Sequence, residues 1–202
     1  MESIALLILP NTKFIPKGDF DYIGVDKGSF IALEKNITCA FCIGDFDSCS
    51  EEELNLIRNK CEDVITLNKV KDDTDSEAAI KECLKRGYES IWILDNGGNR
   101  LDHNIINLRL VYKYPLKVFM INEHNRIFSL DEGDYTIAKS NYQYLSLFSK
   151  EETIISLIGV LYPLDNCVFD KDDLYTISNE IKEEFADISI KKGRILIIQS
   201  KD

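Results

Sequence analysis

The first part of the chain alternates short, continuous apolar runs with amphipathic segments. Because strands that are buried on both faces are apolar throughout, we predict six strands, at residues 4–9, 22–26, 40–45, 63–67, 90–95 and 116–121. Helices are predicted between several of them, at SEEELNLIRNK, DSEAAIKECLKRG and DHNIINLRLVYKY. The first helix begins with a capping-box pattern, Ser50 and Glu53, and the second ends at Gly87. This order predicts an α/β domain with a mostly parallel sheet.

The pattern changes near residue 126, where strand-like segments follow one another with turns such as DEGD and KKGR. These segments are residues 126–130, 134–138, 143–148, 153–162, 186–190 and 194–199. Only SNEIKEEF, residues 178–185, suggests a helix among them. We therefore predict a second, all-β domain, a small sandwich or barrel. The predicted domains are residues 1–124 and 125–202.

Composition and charge limit the possible partners. The chain has 202 residues and a formal net charge of −11, which argues against binding to nucleic acid or to anionic membranes. The apolar run ESIALLILP is too short to span a membrane. Cys39 and Cys42 form a C-x-x-C pair without a second pair, so buried, reduced thiols explain the cysteines better than zinc does. We expect a cytoplasmic protein.

Acidic side chains recur just beyond the carboxyl ends of predicted strands. In open α/β sheets this edge is where ligands bind. Oxygen ligands suit Mg²⁺, which completes its coordination shell with water and substrate phosphates. Lys71 and Arg100 lie in the same loops and add positive charge. The pattern therefore indicates a metal-bound polyphosphate, held by loops that contain Asp26, Asp45, Asp47, Asp72, Asp73, Asp75, Asp95 and Asp102.

Each of these motifs also has a simpler interpretation. DFD alone is typical of a turn with solvated carboxylates, and KDDTD alone is typical of an exposed loop in which Thr74 or Asp75 caps a helix. Their joint position at equivalent strand ends favours a site. The chain lacks the G-x-x-x-x-G-K-[ST], G-x-G-x-x-G and G-x-S-x-G motifs, which argues against P-loop kinases, dinucleotide enzymes and α/β-hydrolases.

Taken in order, GDFDS (44–48), KDDTD (71–75), GGNRLDH (97–103), GVLYPL (159–164) and ISNE (177–180) resemble the motifs of thiamine pyrophosphokinases. The resemblance implies a Rossmann-like catalytic domain followed by a β-sandwich that binds thiamine and forms a homodimer. It also implies the reaction of that family, in which the thiamine hydroxyl takes a diphosphoryl group from ATP. The products are thiamine diphosphate and AMP.

The resemblance further implies roles for individual residues. Asp45, Asp47 and Asp75 would hold Mg²⁺, and Asp72 or Asp73 would support them. Either Asp73 or Asp47 would accept the hydroxyl proton. The residues implied to contact the phosphates, the nucleotide or thiamine are Asp26, Lys27, Gly28, Ser48, Lys71, Asp72, Thr74, Arg100, Asp102, His103, Ser178 and Asn179.

One motif departs from the family pattern, and two other functions stay open. The family motif D-G-G-A is DKGS here, residues 26–29, so Lys27 either adds a phosphate contact or changes the nucleotide preference. One alternative function is a pyrophosphokinase for another primary alcohol, such as a hydroxymethylpterin. The other is a non-enzymatic sensor of a nucleotide or of thiamine diphosphate.

Overall fold

The computed structural model describes residues 3–68, 72–95 and 100–202. The chain divides into two compact units: Met1–Leu110 with Lys117–Glu123, and Val111–Leu116 with His124–Asp202. The sequence predicts a boundary between residues 124 and 125, with a catalytic domain before it and a thiamine-binding domain after it. This boundary and the two assigned functions stay predictions.

Unit 1 is a parallel sheet with helices between its strands. The strands are β1 (Ile4–Ile8), β2 (Asp21–Val25), β3 (Phe41–Gly44), β4 (Val64–Thr66), β5 (Ser90–Leu94) and β6 (Val118–Ile121). Their spatial order is β4-β3-β2-β1-β5-β6, and each described pairing is parallel. The helices are α1 (Gly28–Glu34), α2 (Glu51–Lys60), α3 (Asp75–Lys85) and α4 (Leu101–Lys113). The last three residues of α4 belong to unit 2. The predicted α/β class is confirmed.

Local sequence signals explain where these helices begin. The predicted capping box is present, because the Glu53 amide donates to Ser50 Oγ at 3.2 Å and the Ser50 amide donates to Glu53 Oε2 at 2.8 Å. Thr74 caps α3 by accepting from the Glu77 amide at 3.2 Å. Helix α1 was not predicted, since it has only seven residues and its N-cap residue, Lys27, makes no side-chain cap. None of the helices in the described ranges is both long enough and apolar enough to cross a membrane.

Unit 2 consists mainly of antiparallel strands, as predicted. They are β7 (Asn125–Leu130), β8 (Gly133–Ala138), β9 (Tyr144–Ser149), β10 (Thr153–Ile158), β11 (Leu164–Phe169), β12 (Phe185–Lys192) and β13 (Ile195–Ser200). Strand β13 pairs with β7 and with β9, whereas β11, β10, β12 and β8 form a separate four-stranded sheet in that order. Buried residues such as Leu147, Ile155, Ile188 and Ile197 supply the core of this unit.

Three predictions in unit 2 were wrong or incomplete. Residues 178–185 are not helical, because Asn179 and Ile181 form β-bridges with Leu145 and Val160. Strand β10 ends at Ile158, since Gly159 takes φ = +76° and turns the chain. Strand β11 was not predicted because most of its side chains are exposed or half-buried, so it lacks an apolar run.

The start of α1 approaches β1 so closely that only glycine fits there. A Cβ atom at Gly28 would lie 1.9 Å from the carbonyl oxygen of Ile8. We therefore expect Gly28→Ala to lower the free energy of unfolding by about 1–3 kcal/mol, because the backbone must shift to relieve the overlap. Urea denaturation measures this loss. An unchanged midpoint and slope would show that the helix moves away without cost.

Candidate active site

A cleft of about 670 Å³ lies in unit 1, at the carboxyl ends of its strands. The loops after β1, β2, β3, β4 and β5 line it, together with the N-terminal residues of α3 and residues in the first half of α4. Of the residues predicted from the sequence, the structure brings the following to this cleft: Asp26, Asp45, Asp47, Ser48, Asp73, Thr74, Asp75, Asp95, Arg100, Asp102 and His103.

The other residues predicted for this site lie elsewhere or cannot be placed. Lys27, Gly28 and Asp72 are not among the described residues that line the cleft. The Lys27 ammonium lies 3.3 Å from Glu53 Oε1 and 3.5 Å from the carbonyl oxygen of Ser48. This lysine therefore contacts the start of α2. Lys71 lies outside the described residues.

Three of the carboxylates that line the cleft lie close together. Ligand-capable oxygens of Asp26, Asp45 and Asp47 all lie within 4.8 Å of one another. Burial raises the pKa of the Asp26 carboxyl, hydrogen bonds from the Ser48 side chain and the Lys27 backbone lower this pKa, and the charges of Asp75 and Asp45 raise it. Such an all-oxygen set of ligands fits Mg²⁺. Asp75 lies in the same cleft but outside this close group.

Phe46 explains how the DFD motif presents both of its aspartates. Its side chain is only 3% exposed and packs in the apolar cluster with Ile8, Ala32 and Ile57. Its backbone takes φ = +56°, a left-handed conformation that is uncommon outside glycine. The Asp47 amide donates to Asp45 Oδ1 at 3.1 Å and closes the turn. The motif is thus a turn, as its simpler interpretation held, and it also lines the cleft.

Arg100 and Asp102 form an ion pair at the mouth of the cleft. Arg100 Nη2 lies 2.6 Å from Asp102 Oδ2, and both side chains are exposed. The hydrogen bond from Arg100 lowers the pKa of Asp102 to about 2. Asp73 is also paired, because both of its carboxylate oxygens accept from Lys81 Nζ at 2.7 Å. The cations that the structure describes near the cleft therefore already have acidic partners.

A buried polar pair in the inner part of the cleft was missed by the sequence prediction. Asn107 Nδ2 donates to Asp95 Oδ2 at 3.0 Å, and both residues are buried. The sequence does hold a signal for Asn107: it precedes Leu110 and Val111 by three and four residues, so it falls on the apolar face of α4. The cleft residues that were not predicted are Leu9, Pro10, Asn11, Val25, Ser76, Leu94, Asn104, Ile106 and Asn107.

In unit 2 the motifs GVLYPL and ISNE are joined by the side chain of Asn179. Its Oδ1 accepts from the amides of Tyr162 at 3.0 Å and Glu180 at 2.9 Å, and its Nδ2 donates to the Tyr162 carbonyl at 2.8 Å. Asn179 is 7% exposed, so it acts inside the loop. Ser178 takes φ = +56° and is exposed, while its amide donates to Ser146 Oγ at 2.9 Å.

Comparison with known families gives two matches that together cover most of the chain. Residues 17–122 match the model described as thiamin pyrophosphokinase, catalytic domain. Residues 134–195 match the model described as thiamin pyrophosphokinase, vitamin B1 binding domain. The thiamine pyrophosphokinase of Bacillus subtilis is 33% identical over 187 residues, which cover 90% of this chain and 87% of the relative.

Solved structures give the same result. The crystal structure of thiamine pyrophosphokinase from Bacillus subtilis superposes with a TM-score of 0.85 at 30% identity, and each chain is covered completely. A thiamin pyrophosphokinase family protein from Enterococcus faecalis has a TM-score of 0.87 at 29% identity, again over the whole of both chains. The enzyme from Candida albicans, at 18% identity and a TM-score of 0.80 over 99% of this chain and 90% of its own, shares the fold.

Proposed function

Because this chain belongs to the thiamin pyrophosphokinase family and is an enzyme of that activity, we propose that its cleft binds ATP with Mg²⁺ and transfers the diphosphoryl group to thiamine. The observation that supports this most is the group of three carboxylates from two loops at the strand ends. The two alternatives, another primary alcohol or a sensor without activity, are not favoured by the family matches.

Charge neutralisation is the main demand of this chemistry. The carboxylates of Asp45, Asp47 and Asp75 are the proposed metal ligands, and Asp26 is considered separately below. When bound, Mg²⁺ neutralises phosphate charge and favours departure of AMP. Catalysis of phosphoryl transfer depends mainly on positioning and on stabilisation of charge. Phe46 anchors the turn that carries Asp45 and Asp47, and Asp75 is placed at the start of α3, which supports the proposal.

The ion pairs at the mouth suggest how substrates are positioned. We propose that the Arg100 guanidinium turns from Asp102 to a phosphate, because a guanidinium binds either group through two parallel hydrogen bonds. Asp102 is then free to approach thiamine, and Thr74, Ser48 and His103 supply further polar contacts from the cleft wall. Lys27, Gly28, Lys71 and Asp72 stay predicted contacts.

Of the two proposed acceptors of the hydroxyl proton from thiamine, Asp47 is also a proposed metal ligand. The alternative, Asp73, has both carboxylate oxygens bonded to Lys81. Asp47 lines the cleft, as Asp73 does, and its backbone amide donates to Asp45 Oδ1, so both aspartates stay proposed candidates.

For unit 2 we propose thiamine binding and homodimer formation. Ser178 and Asn179 are the proposed thiamine residues, supported by the match to the vitamin B1 binding domain. Large exposed apolar side chains support an interface on this unit, because monomers rarely expose many of them together. They include Ile158, Val168 and Phe185 on neighbouring strands, and Leu161, Tyr162, Leu174, Tyr175 and Ile177 in the connecting segments.

We also propose that the enzyme acts in the cytoplasm. Its six cysteines, all within the described residues, are free, and four of them are buried. Reduced thiols are typical of a reducing compartment.

The proposed reaction is tested by product formation. Purified protein with ATP, Mg²⁺ and thiamine is expected to release AMP and thiamine diphosphate in equal amounts, and chelation of the metal with EDTA is expected to stop both. A hydroxymethylpterin in place of thiamine is the matched control and is expected to give no AMP above the blank. Absence of AMP with saturating thiamine, or equal turnover of the pterin, would contradict the proposal.

Asn179 is expected to affect thiamine binding through the loop that it joins. Asn179→Ala removes three hydrogen bonds, and we expect the KM for thiamine to rise about tenfold, equivalent to about 1.4 kcal/mol. The KM for ATP should change little. Initial rates at varied thiamine and at varied ATP measure the two values, with Asn141→Ala, at an exposed residue before β9, as the control. An unchanged KM for thiamine in the folded variant would remove Asn179 from this role.

A further inference from the structure

We propose that Asp26 is a direct ligand of the divalent cation and that Ser48 positions it, so that Asp26, Asp45 and Asp47 bind the cation before any nucleotide arrives. This rests on the proposed function, and it adds Asp26 to the ligand set that the family resemblance implies. That set contained Asp45, Asp47 and Asp75, with Asp26 only as a substrate contact.

The first observation is an unpartnered oxygen. Asp26 is 8% exposed, and its Oδ1 atom is buried without a hydrogen-bond partner within the described part of the chain. Burying a carboxylate oxygen without a hydrogen-bond donor or a cation lowers the stability of the folded state, so such oxygens nearly always have a partner in native proteins. The same side chain belongs to the group whose oxygens lie within 4.8 Å of one another. A cation at this group would satisfy the oxygen and offset the mutual repulsion of the three carboxylates.

The second observation concerns the other oxygen of Asp26. Ser48 Oγ donates to Asp26 Oδ2 at 2.6 Å, so this oxygen is held by the same loop that carries Asp45 and Asp47. Carboxylates that bind metals are commonly oriented by a hydrogen bond of this kind. Ser48 therefore holds Oδ2, whereas Oδ1 has no hydrogen-bond partner within the described residues.

The third observation concerns the backbone. Asp26 takes φ = +50°, and its amide donates to the Ile43 carbonyl at 2.8 Å. A Cβ atom at Gly44 would lie 2.9 Å from Asp26 Cα, so the glycine makes room for this conformation. Glycine at position 26 would adopt the same conformation without strain. The strain is thus associated with keeping a carboxylate at this point, as is common at functional sites.

Binding of Mn²⁺ in the absence of nucleotide tests this proposal. We expect Asp26→Asn to weaken Mn²⁺ binding by more than about tenfold, as Asp45→Asn does, and Ser48→Ala to weaken it by about tenfold. The control is Asp19→Asn, which removes the same charge from an exposed position before the start of β2, whereas Asp26 follows the end of that strand. Electron paramagnetic resonance of free Mn²⁺ measures the dissociation constants.

Stability measurements separate loss of a ligand from loss of the fold. Asparagine tolerates positive φ, so Asp26→Asn is expected to fold. In EDTA its melting temperature should equal or exceed that of the unmodified chain, because one of three repelling charges is gone. On addition of Mn²⁺ the unmodified chain should gain thermal stability and the variant should gain much less. If Asp26→Asn does not fold, the affinity of Ser48→Ala decides.

Two results would overturn the proposal. Unchanged Mn²⁺ affinity in Asp26→Asn and Ser48→Ala, with loss of affinity in Asp45→Asn, would exclude Asp26 as a ligand and leave the proposed metal site of the reaction intact. Absence of Mn²⁺ binding to the unmodified chain at millimolar concentration would exclude a site formed without nucleotide. In both cases the assay of AMP release tests the proposed function separately.

Discussion

Asp75→Asn is expected to lower turnover by about 100-fold or more and to raise the Mg²⁺ concentration required for half-maximal rate, because it removes one negative charge from the proposed metal site. Asp75 is the first residue of α3 and lines the cleft. Asparagine keeps the shape of the side chain, and the Thr74 cap of the helix stays in place. The fold should therefore survive. Initial rates of AMP release at varied Mg²⁺, with saturating ATP and thiamine, measure both effects.

Glu77→Gln is the matched control for this prediction. It removes one charge from the same helical turn, at a residue that is not among the described cleft-lining side chains. We expect it to keep turnover and Mg²⁺ dependence close to those of the unmodified enzyme. If Asp75→Asn behaves like Glu77→Gln, Asp75 does not take part in metal binding.

Phe46→Ala is expected to lower the free energy of unfolding by about 3–5 kcal/mol, because it leaves a cavity in a buried apolar cluster. It should also weaken Mn²⁺ binding, since the buried ring holds the turn between Asp45 and Asp47. Urea denaturation in EDTA measures the first effect, and Mn²⁺ titration of the folded variant measures the second. Phe14→Ala, at a side chain that is 59% exposed, is the control and should lose much less stability. A small loss in Phe46→Ala would show that the ring does not anchor the turn.

The parallel sheet of unit 1 could be predicted because its strands are buried on both faces and therefore apolar along their whole length. Strand β11 has no such run, and α1 is too short to show a helical period. The residue pattern of SNEIKEEF suggests a helix. Instead, the side chain of Asn179 bonds to the backbone of Tyr162 and its backbone forms a β-bridge with Leu145, so the segment is not helical. The secondary structure of these segments depends on tertiary contacts, which cannot be read from the local sequence pattern.

The location of the candidate site could also be predicted, since residues after parallel strands meet at one edge of the sheet. Which carboxylates approach one another could not be predicted. The close group includes Asp26 because of its left-handed backbone, for which Gly44 leaves room, and because of the hydrogen bond from Ser48. Arg100 was expected to contact phosphate, whereas in this structure it is paired with Asp102 two residues away.

The most direct test of the central claim, that the strand-end carboxylates hold the cation that binds the triphosphate, is a crystal structure with Mn²⁺ and α,β-methylene-ATP. This analogue resists cleavage at the bond that diphosphoryl transfer would break. We predict an anomalous Mn²⁺ peak within coordination distance of Asp26, Asp45 and Asp47, with phosphate oxygens completing the shell. A nucleotide bound in the cleft with its metal away from all three carboxylates would contradict the claim.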